Sequence, residues 1–178
     1  ILVTNTPGVL TLTVAEHTIW LMGAVVRHVA LADTNLRSGT WQPLVGTELN
    51  GKTLAVIGCG AIGSRVATIA SRGFSMRVIA FGRRERSKEE LSTLGIDRFT
   101  RSWDEAVCQA HVVSIHLAST PETQRFVNAS RLAQIRPGAF LVNTARGAVL
   151  DESALFDSLA SGHLAGAPLD VFAHEPYM

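Results

Sequence analysis

Length, composition and charge restrict this chain to a few protein classes. Its 178 residues are enough for one sizeable hydrophobic core and too few for two ordinary domains, so we expect one unit over residues 1–178. Hydrophobic residues make up 47% and charged residues 17%, which excludes a disordered chain and is typical of strands covered on both faces. The formal charge is +1, from 16 Lys and Arg against 15 Asp and Glu, so we expect neither a nucleic acid nor a membrane as partner.

The ends of the chain and its cysteines bear on its location. The apolar stretches are shorter than the roughly 18 to 20 residues that span a bilayer, and no basic leader opens the chain, so a cytoplasmic protein is expected. Cys59 and Cys108 have neither the number nor the spacing of a disulfide framework or a metal site, and we expect two reduced thiols and no metal. Because the chain starts on an apolar segment at Ile1 and stops two residues after Pro176, further sequence is expected.

The first part of the chain is predicted to form one long helix. Thr13 and Glu16 have the spacing of a capping box, and apolar residues follow on one helical face to about Leu36. This apolar stripe fits packing on a sheet and packing on a partner subunit equally well. A loop is predicted over residues 39–46.

From Lys52 onward, short β-rich runs alternate with helical patterns. Strands are predicted at residues 53–57, 77–81, 112–115, 139–142 and 164–171. Helices are predicted after the glycines at 58–63, from the capping box at 87–90 to about Gly95, after Ser102, and from Asp151 to Ser161. This alternation indicates an α/β fold in which a doubly wound parallel sheet lies between two layers of helices, and ligands then bind at the carboxyl ends of the strands.

A glycine-rich loop joins the first of these strands to its helix. The run Gly58-Cys-Gly60-Ala-Ile-Gly63 has the G-x-G-x-x-G pattern. The first glycine permits a tight turn, the second lets the backbone approach a pyrophosphate, and the third lets the helix pack closely on the strand. The same pattern also occurs in turns made for packing alone, but its place between a strand and a helix favours dinucleotide binding.

The end of the second strand carries cations where an NAD site carries an acid. An acidic side chain about 20 residues beyond the glycines would bind the ribose hydroxyls of NAD. Gly82 takes that position, and Arg83 and Arg84 follow it. Two arginines would attract a 2'-phosphate, so we predict that NADP is preferred over NAD. A charge run after a strand is also typical of the solvated start of a helix.

Several segments together resemble one family, the D-2-hydroxyacid dehydrogenases, which include phosphoglycerate dehydrogenases, glyoxylate/hydroxypyruvate reductases and formate dehydrogenases. The segments are residues 5–8 with 14–16, 46–54, 58–63, 116–123, 142–147 and 169–176, which span nearly the whole chain in the family's order. The resemblance implies a Rossmann-type NAD(P)-binding domain, incomplete at its C-terminal end. The whole enzyme would be a homodimer that interconverts a small 2-oxo acid and a D-2-hydroxy acid, with its substrate domain outside these residues.

The resemblance also implies roles for individual residues. Arg146, in Asn-Thr-Ala-Arg-Gly, matches the catalytic arginine, whose planar fork of donors suits a substrate carboxylate. Glu175 matches the glutamate that keeps the catalytic histidine protonated, and that histidine would lie beyond Met178. Cofactor contacts carried over by position are Ala61 and Ile62 at the pyrophosphate turn and Leu117 after the strand that contains Ser114. Thr144 and Ala145 would lie beside the nicotinamide, and Asp170 at its carboxamide.

None of the six histidines, at positions 17, 28, 111, 116, 163 and 174, matches a catalytic position of the family, and we expect packing or surface roles for them. Three departures from the family affect loops: Gly82 replaces the usual acid, Ala118 replaces a common proline, and Ser75 lies in a stretch one residue longer than usual. Pro168 removes a backbone donor from the last predicted strand, which we therefore expect at an edge or irregular.

Alternatives to the enzyme remain open at this stage. Some members of the superfamily act as dinucleotide-responsive corepressors, and a truncated product without function is a third interpretation. Within the enzyme interpretation, the run Gly82-Arg83-Arg84 favours an NADPH-linked glyoxylate or hydroxypyruvate reductase, whereas residues 46–54 are more typical of phosphoglycerate dehydrogenase. The chain alone is expected to bind cofactor weakly and to turn over nothing measurable.

Overall fold

The described part of the chain is built on one parallel sheet. The structure, a computed structural model, describes residues 4, 6 and 8–176, so the predicted apolar start at residues 1–3 lies outside the described residues. The strands are β1 (Thr53–Ile57), β2 (Arg77–Phe81), β3 (Arg98–Thr100), β4 (Val112–Ile115), β5 (Ala139–Asn143) and β6 (Leu164–Gly166). They pair in the order β3-β2-β1-β4-β5-β6. Strand order reverses between β1 and β4, so the predicted doubly wound sheet is confirmed.

Helices cover both faces of the sheet. They are α1 (Thr11–Val26), α2 (Val29–Arg37), α3 (Ala61–Phe74), α4 (Lys88–Leu94), α5 (Trp103–Val107), α6 (Ala129–Ala133) and α7 (Glu152–Ala160). Helices α1, α3 and α4 contribute to the core on one face, and α5, α6 and α7 to the core on the other. No helix in the described residues is both long enough and apolar enough to cross a membrane.

Strand β1 shows why the strands are apolar without alternation. All five of its residues are buried. Leu54 and Val56 point into the cluster that includes α1 and α3, while Ala55 and Ile57 point into the cluster that includes α5 to α7. Because successive side chains of a strand face opposite sides, a sheet covered on both sides needs apolar residues at every position.

The start of the N-terminal helix differs from the prediction. The capping box at Thr13 and Glu16 is wrong, because the N-cap of α1 is Leu10, three residues earlier, and no side chain caps the helix. A turn in which the Thr11 N–H donates to the Gly8 carbonyl at 3.2 Å leads into the helix. The Thr-x-x-Glu spacing therefore lies inside a helix that has already begun.

The single long helix to Leu36 is also wrong, because His28 adopts a left-handed conformation, with φ of 54°, between α1 and α2. At the end of α1 the Val26 carbonyl accepts the Thr47 N–H at 2.8 Å. Gly46 makes this approach possible, since a Cβ there would lie 2.8 Å from the Val26 oxygen. The returning loop therefore binds the end of α1.

The last strand is shorter than predicted. Strand β6 ends at Gly166 instead of continuing to residue 171, and it lies at the edge of the sheet. The chain meets β5 again beyond the proline, where Leu169 forms an isolated bridge with Asn143 and the Pro168 carbonyl accepts the Asn143 N–H at 3.2 Å. The expected irregularity at Pro168 is confirmed.

Most helix boundaries after residue 80 follow the predicted caps. Ser87 and Glu90 form the reciprocal capping box of α4, and Gly95 ends that helix with φ of 69°. The side chains of Ser102 and Asp151 cap α5 and α7. Strand β3 and helix α6 were not predicted, because elements of three and five residues are too short to show a period.

Two glycines of α3 test how closely this helix packs on β1. A methyl group at Gly63 would overlap the Gly58 carbonyl, whereas nothing lies within 4 Å of the Cβ position at Gly73. We therefore expect Gly63→Ala to lower the free energy of unfolding by about 1 to 3 kcal/mol. Gly73→Ala, the matched control, should raise it by up to about 1 kcal/mol through helix propensity. Urea unfolding followed by circular dichroism measures both, and a Gly63→Ala variant as stable as the wild type would contradict the close contact.

Candidate functional site

The glycine loop fills the narrow space between β1 and the start of α3. Gly58 has φ of 98°, and its N–H donates to the Phe81 carbonyl at 2.9 Å. A Cβ at Gly58 would lie 2.6 Å from the His116 carbonyl oxygen, at the end of the neighbouring strand β4. Positive φ and close backbone contact both require glycine here. The predicted tight turn is therefore confirmed.

The second glycine leaves room for a ligand. Gly60 precedes α3 in an extended conformation, with φ of −80° and ψ of −160°, and nothing lies within 4 Å of its Cβ position. No side chain caps α3, so the amide groups of its first residues, Ala61 and Ile62, are available to an anion. Open space beside uncapped amides at the positive end of a helix fits the diphosphate of a dinucleotide.

A cavity of about 520 Å³ lies next to this loop, at the carboxyl ends of β4 and β5. Four elements contribute to its lining, which includes Leu10, Val14, Ile62, Leu117, Thr144 and Arg146. The predicted residues Ile62, Leu117, Thr144, Ala145 and Arg146 are thus brought together around one cavity. Sequence reasoning missed the contribution of α1, because its sequence carries no recognisable binding motif.

A buried asparagine shapes the loop that carries Arg146. Asn143 is fully buried, its Oδ1 accepts the Ala145 N–H at 3.0 Å, and its Nδ2 donates to the Arg146 carbonyl at 3.2 Å. The Arg146 side chain is exposed and donates to the Ala145 carbonyl at 2.6 Å. The loop is therefore fixed from inside while its guanidinium stays accessible.

Gly147 joins this loop to the C-terminal segment. Its Cβ position would overlap the backbone of Phe172 and Ala173, so only glycine allows the contact. On that segment the Glu175 carboxylate accepts the Phe172 N–H at 2.9 Å. The segments that carry Arg146 and Glu175 are thus neighbours, although each side chain forms its hydrogen bond within its own segment.

Helix α1 contacts two of the predicted cofactor residues. His17 Nε2 lies 3.1 Å from Asp170 Oδ1, with both side chains about half exposed. The Thr18 and Thr144 hydroxyl oxygens are 2.8 Å apart in the buried interior. Neither contact was predicted, since His17 was expected to have only a packing or surface role. The pairs show that α1 forms one wall of the site.

The cations after β2 do not all occupy the same environment. Gly82 lies beside the glycine loop, its Cβ position 4.0 Å from the Cys59 amide nitrogen, and Arg83 and Arg84 are exposed. Arg86, which was not among the predicted site residues, donates to the Cys59 carbonyl at 2.6 Å and to the Ser64 hydroxyl at 3.3 Å. It fixes the loop after β2 to the glycine loop.

His116 lines the cavity but is not a proton donor at neutral pH. Burial lowers the pKa of its imidazole to about 4, and Nε2 lies 2.8 Å from the Ser114 hydroxyl. An imidazole with this pKa is uncharged at pH 7.

Comparisons with known proteins agree with this geometry. The sequence model of the D-isomer specific 2-hydroxyacid dehydrogenase NAD binding domain matches residues 19–178. A glyoxylate reductase of Aeropyrum pernix is 43% identical, and the match covers 99% of this chain and 54% of that protein. A D-3-phosphoglycerate dehydrogenase of Bacillus subtilis is 38% identical, with 99% of this chain and 33% of that protein covered.

A solved structure gives the same result. The D-lactate dehydrogenase of Aquifex aeolicus, crystallised with NAD and lactic acid, superposes with a TM-score of 0.89 at 35% identity, covering 98% of this chain and 52% of that one. The chain thus spans between a third and about half the length of these relatives. The resemblance inferred from the motifs is confirmed: the chain belongs to the D-isomer-specific 2-hydroxyacid dehydrogenase family and comprises its NAD-binding domain.

Proposed function

We propose that this chain is the dinucleotide-binding part of an oxidoreductase that interconverts a small 2-oxo acid and a D-2-hydroxy acid. The observation that carries the proposal is the cavity in which Arg146 lies beside the start of α3 and the glycine loop. A bound nicotinamide dinucleotide would supply or accept the hydride at the second carbon of the substrate. The relatives named glyoxylate reductase and phosphoglycerate dehydrogenase support this substrate class.

The residues of the chain would bind and orient the reactants. We assign the diphosphate to Gly58, Gly60, Ala61, Ile62 and Gly63, and the nicotinamide end to Leu117, Thr144, Ala145 and Asp170. Asp170 would accept a hydrogen bond from the carboxamide, and its contact with His17 would hold it in place. These assignments follow the loop geometry and the cavity lining.

Arg146 would bind the substrate carboxylate and polarise the 2-oxo group. Its guanidinium is accessible, and a planar pair of donors matches a carboxylate. As hydride reaches the second carbon, the oxygen takes a proton, which we assign to a histidine outside the six of this chain. Glu175, held by the Phe172 N–H, would pair with that histidine and raise its pKa.

Gly60 provides a test of nucleotide binding that leaves the fold intact. Gly60→Val places a branched side chain in the open space beside the first turn of α3, in a backbone conformation that valine adopts readily. We expect the affinity for NADPH, measured by fluorescence titration of the 178-residue chain, to fall by roughly tenfold or more, as for a lost charge-assisted hydrogen bond. The free energy of unfolding should fall by no more than about 1 kcal/mol, because valine is a poorer N-cap than glycine.

Gly73→Ala serves as the control, because it lies in the same helix and should bind NADPH like the wild type. Equal NADPH affinity in Gly60→Val and the wild type would show that the dinucleotide does not bind at this loop. The chain alone should reduce neither glyoxylate nor hydroxypyruvate, since the proposed proton donor lies elsewhere. Measurable turnover would refute that assignment of the histidine.

For the cofactor itself we propose a preference for NADP over NAD. Gly82 presents no carboxylate to repel a 2'-phosphate, and Arg83 and Arg84 stand exposed beside it. Arg86 adds a third cation whose position is fixed by the glycine loop. Phosphate recognition by arginine pairs supports this choice.

The preference is measured by titrating NADPH and NADH separately into the wild type and Arg83→Ala. We expect NADPH to bind the wild type more tightly, and Arg83→Ala to weaken NADPH by about tenfold while NADH changes little. Arg72→Ala is the matched control, since this exposed arginine bonds only the Thr93 carbonyl on another part of the surface. Tighter NADH binding by the wild type would show that the chain prefers NAD.

We further propose that the chain forms a homodimer through α1, α2 and the loop that follows. Large apolar side chains there are exposed, among them Trp20, Leu36, Trp41 and Val45. Trp41 and Val45 are 83% and 93% exposed. A large group of exposed apolar side chains is typical of a protein–protein interface. An identical surface on a second copy would bury them.

Sedimentation velocity tests the dimer. The wild type should sediment as a dimer, and the Trp20→Glu, Trp41→Glu double variant as a monomer, because burying a carboxylate in an apolar interface is costly. Phe156→Glu changes an equally exposed apolar residue on α7 and should leave the dimer intact. A monomeric wild type would exclude the dimer. A dimer that only Phe156→Glu disrupts would show that the interface includes α7 instead.

A further inference from the structure

A second cavity lies at the amino ends of the strands, whereas the glycine loop lies at their carboxyl ends. It has a volume of about 300 Å³, and its lining includes Lys52, His111, Arg136, Gly138 and Phe140. Strand β1 runs from one of these ends to the other, and its five residues span roughly 16 Å. This cavity is therefore separate from the dinucleotide site, and we call it the basic cavity.

The topology concentrates cations around the basic cavity. Lys52 precedes β1, His111 precedes β4, and Arg136 lies three residues before β5. Arg77 is the first residue of β2. Because all these strands are parallel, their amino ends lie at the same end of the sheet. Four basic residues from distant parts of the sequence are therefore brought to that end: Lys52, Arg77, His111 and Arg136.

These cations have no acidic partners in the described part of the chain. Lys52, Arg77 and Arg136 take part in none of the ion pairs formed among those residues, and the cavity lining contains no carboxylate. Burial, and then the charges of Arg136, Lys52 and Arg77, lower the pKa of His111. All the charged groups that act on this imidazole are thus positive, in a chain whose net charge is only +1.

The backbone fixes His111 so that one of its ring nitrogens is a donor. Its Nδ1 accepts the Thr53 N–H at 3.1 Å, so the proton of the neutral ring is on Nε2. The His111 N–H donates to the Thr53 carbonyl at 2.8 Å, and the His111 carbonyl accepts the Phe140 N–H at 3.0 Å. The imidazole is therefore held between β1 and β5 at the cavity wall.

We propose that the basic cavity binds a small multivalent oxyanion, of the class of inorganic phosphate and phosphate monoesters, through Lys52, His111 and Arg136. Such an anion would receive charge-assisted hydrogen bonds from the ammonium and guanidinium groups and one from the imidazole. It would also relieve the repulsion among cations held close together. The neutral imidazole supplies its bond through the Nε2 proton, because Nδ1 accepts the Thr53 N–H, so binding requires no change in the protonation of His111.

Sulfate is the probe for this site, since it stays dianionic between pH 5.5 and 8 and any pH dependence then belongs to the protein. Sulfate is titrated into the 178-residue chain at constant ionic strength, with chloride as the reference, and followed by the imidazole C–H resonances in NMR. His111→Gln identifies the His111 signals. We expect those signals to shift with saturation, and the affinity to change little between pH 5.5 and pH 8, because His111 binds in its neutral form.

Substitutions distinguish a specific sulfate site from general attraction between sulfate and the positive charges of the protein. Arg136→Gln and Lys52→Gln should each weaken sulfate binding by about tenfold, and Arg136→Lys should weaken it less. Arg72→Gln removes an equal charge from another surface and should bind sulfate like the wild type. Unfolding midpoints without sulfate verify that each variant is folded. Equal weakening in Arg72→Gln and Arg136→Gln, or no change in either, would overturn the proposal.

The nucleotide site is separated from the basic cavity by two further measurements. Saturating NADPH should leave sulfate affinity unchanged, and so should Gly60→Val. If NADPH displaces sulfate, or if Gly60→Val abolishes its binding, the sulfate lies at the glycine loop and the basic cavity is not its site. If the wild-type chain binds sulfate but does not bind NADPH, the result supports the basic cavity and contradicts the proposed enzyme function.

Discussion

The whole site depends on how closely the backbone of the glycine loop approaches its neighbours. Gly58 lies against the His116 carbonyl, and Gly63 lies against the Gly58 carbonyl. Any side chain at either position would push α3 away from β1 or β4. With glycine at both, the helix begins directly at the carboxyl ends of two central strands, and its uncapped amides face the space where those strands end. Close packing thus creates the anion-binding geometry, with no charged side chain required.

A second set of close contacts holds the side of the cavity that carries Arg146. Asn143 satisfies both sides of its amide on the Arg146 loop, and Gly147 admits the Phe172 backbone. A buried amide whose hydrogen bonds are all internal resists rearrangement, because breaking them leaves polar groups unsatisfied. The loop that carries an exposed arginine is therefore among the more rigidly supported parts of the fold.

Much of this arrangement could be predicted from the sequence, for identifiable reasons. Strands buried on both faces are continuous apolar runs, and helices with Ser87, Ser102 or Asp151 at their start have local caps. Such signals depend on neighbours in sequence. The break at His28 could not be foreseen, because it depends on a carbonyl at the end of α1 being bound by Thr47. A tertiary contact there overrides a helical pattern that has no local stop signal.

The site was predicted where motifs exist and missed where contacts are made at a distance. The glycine loop and the Arg146 loop are short continuous segments with recognisable composition. The wall formed by α1 has no such signature, and nothing in the sequence after β2 distinguishes Arg86 from Arg83 and Arg84. Which of several neighbouring cations reaches the loop depends on side-chain path and loop shape, and a charge count along the chain contains neither.

The contacts of α1 have a consequence for how the site assembles. The Thr18–Thr144 and His17–Asp170 pairs join residues 126 and 153 positions apart. Closing loops of this length costs more conformational entropy than forming contacts between neighbours in sequence. During synthesis, the wall made by α1 has no opposite side until residues 144 and 170 have been made. A chain that ended before residue 170 would lack the Asp170 partner of His17.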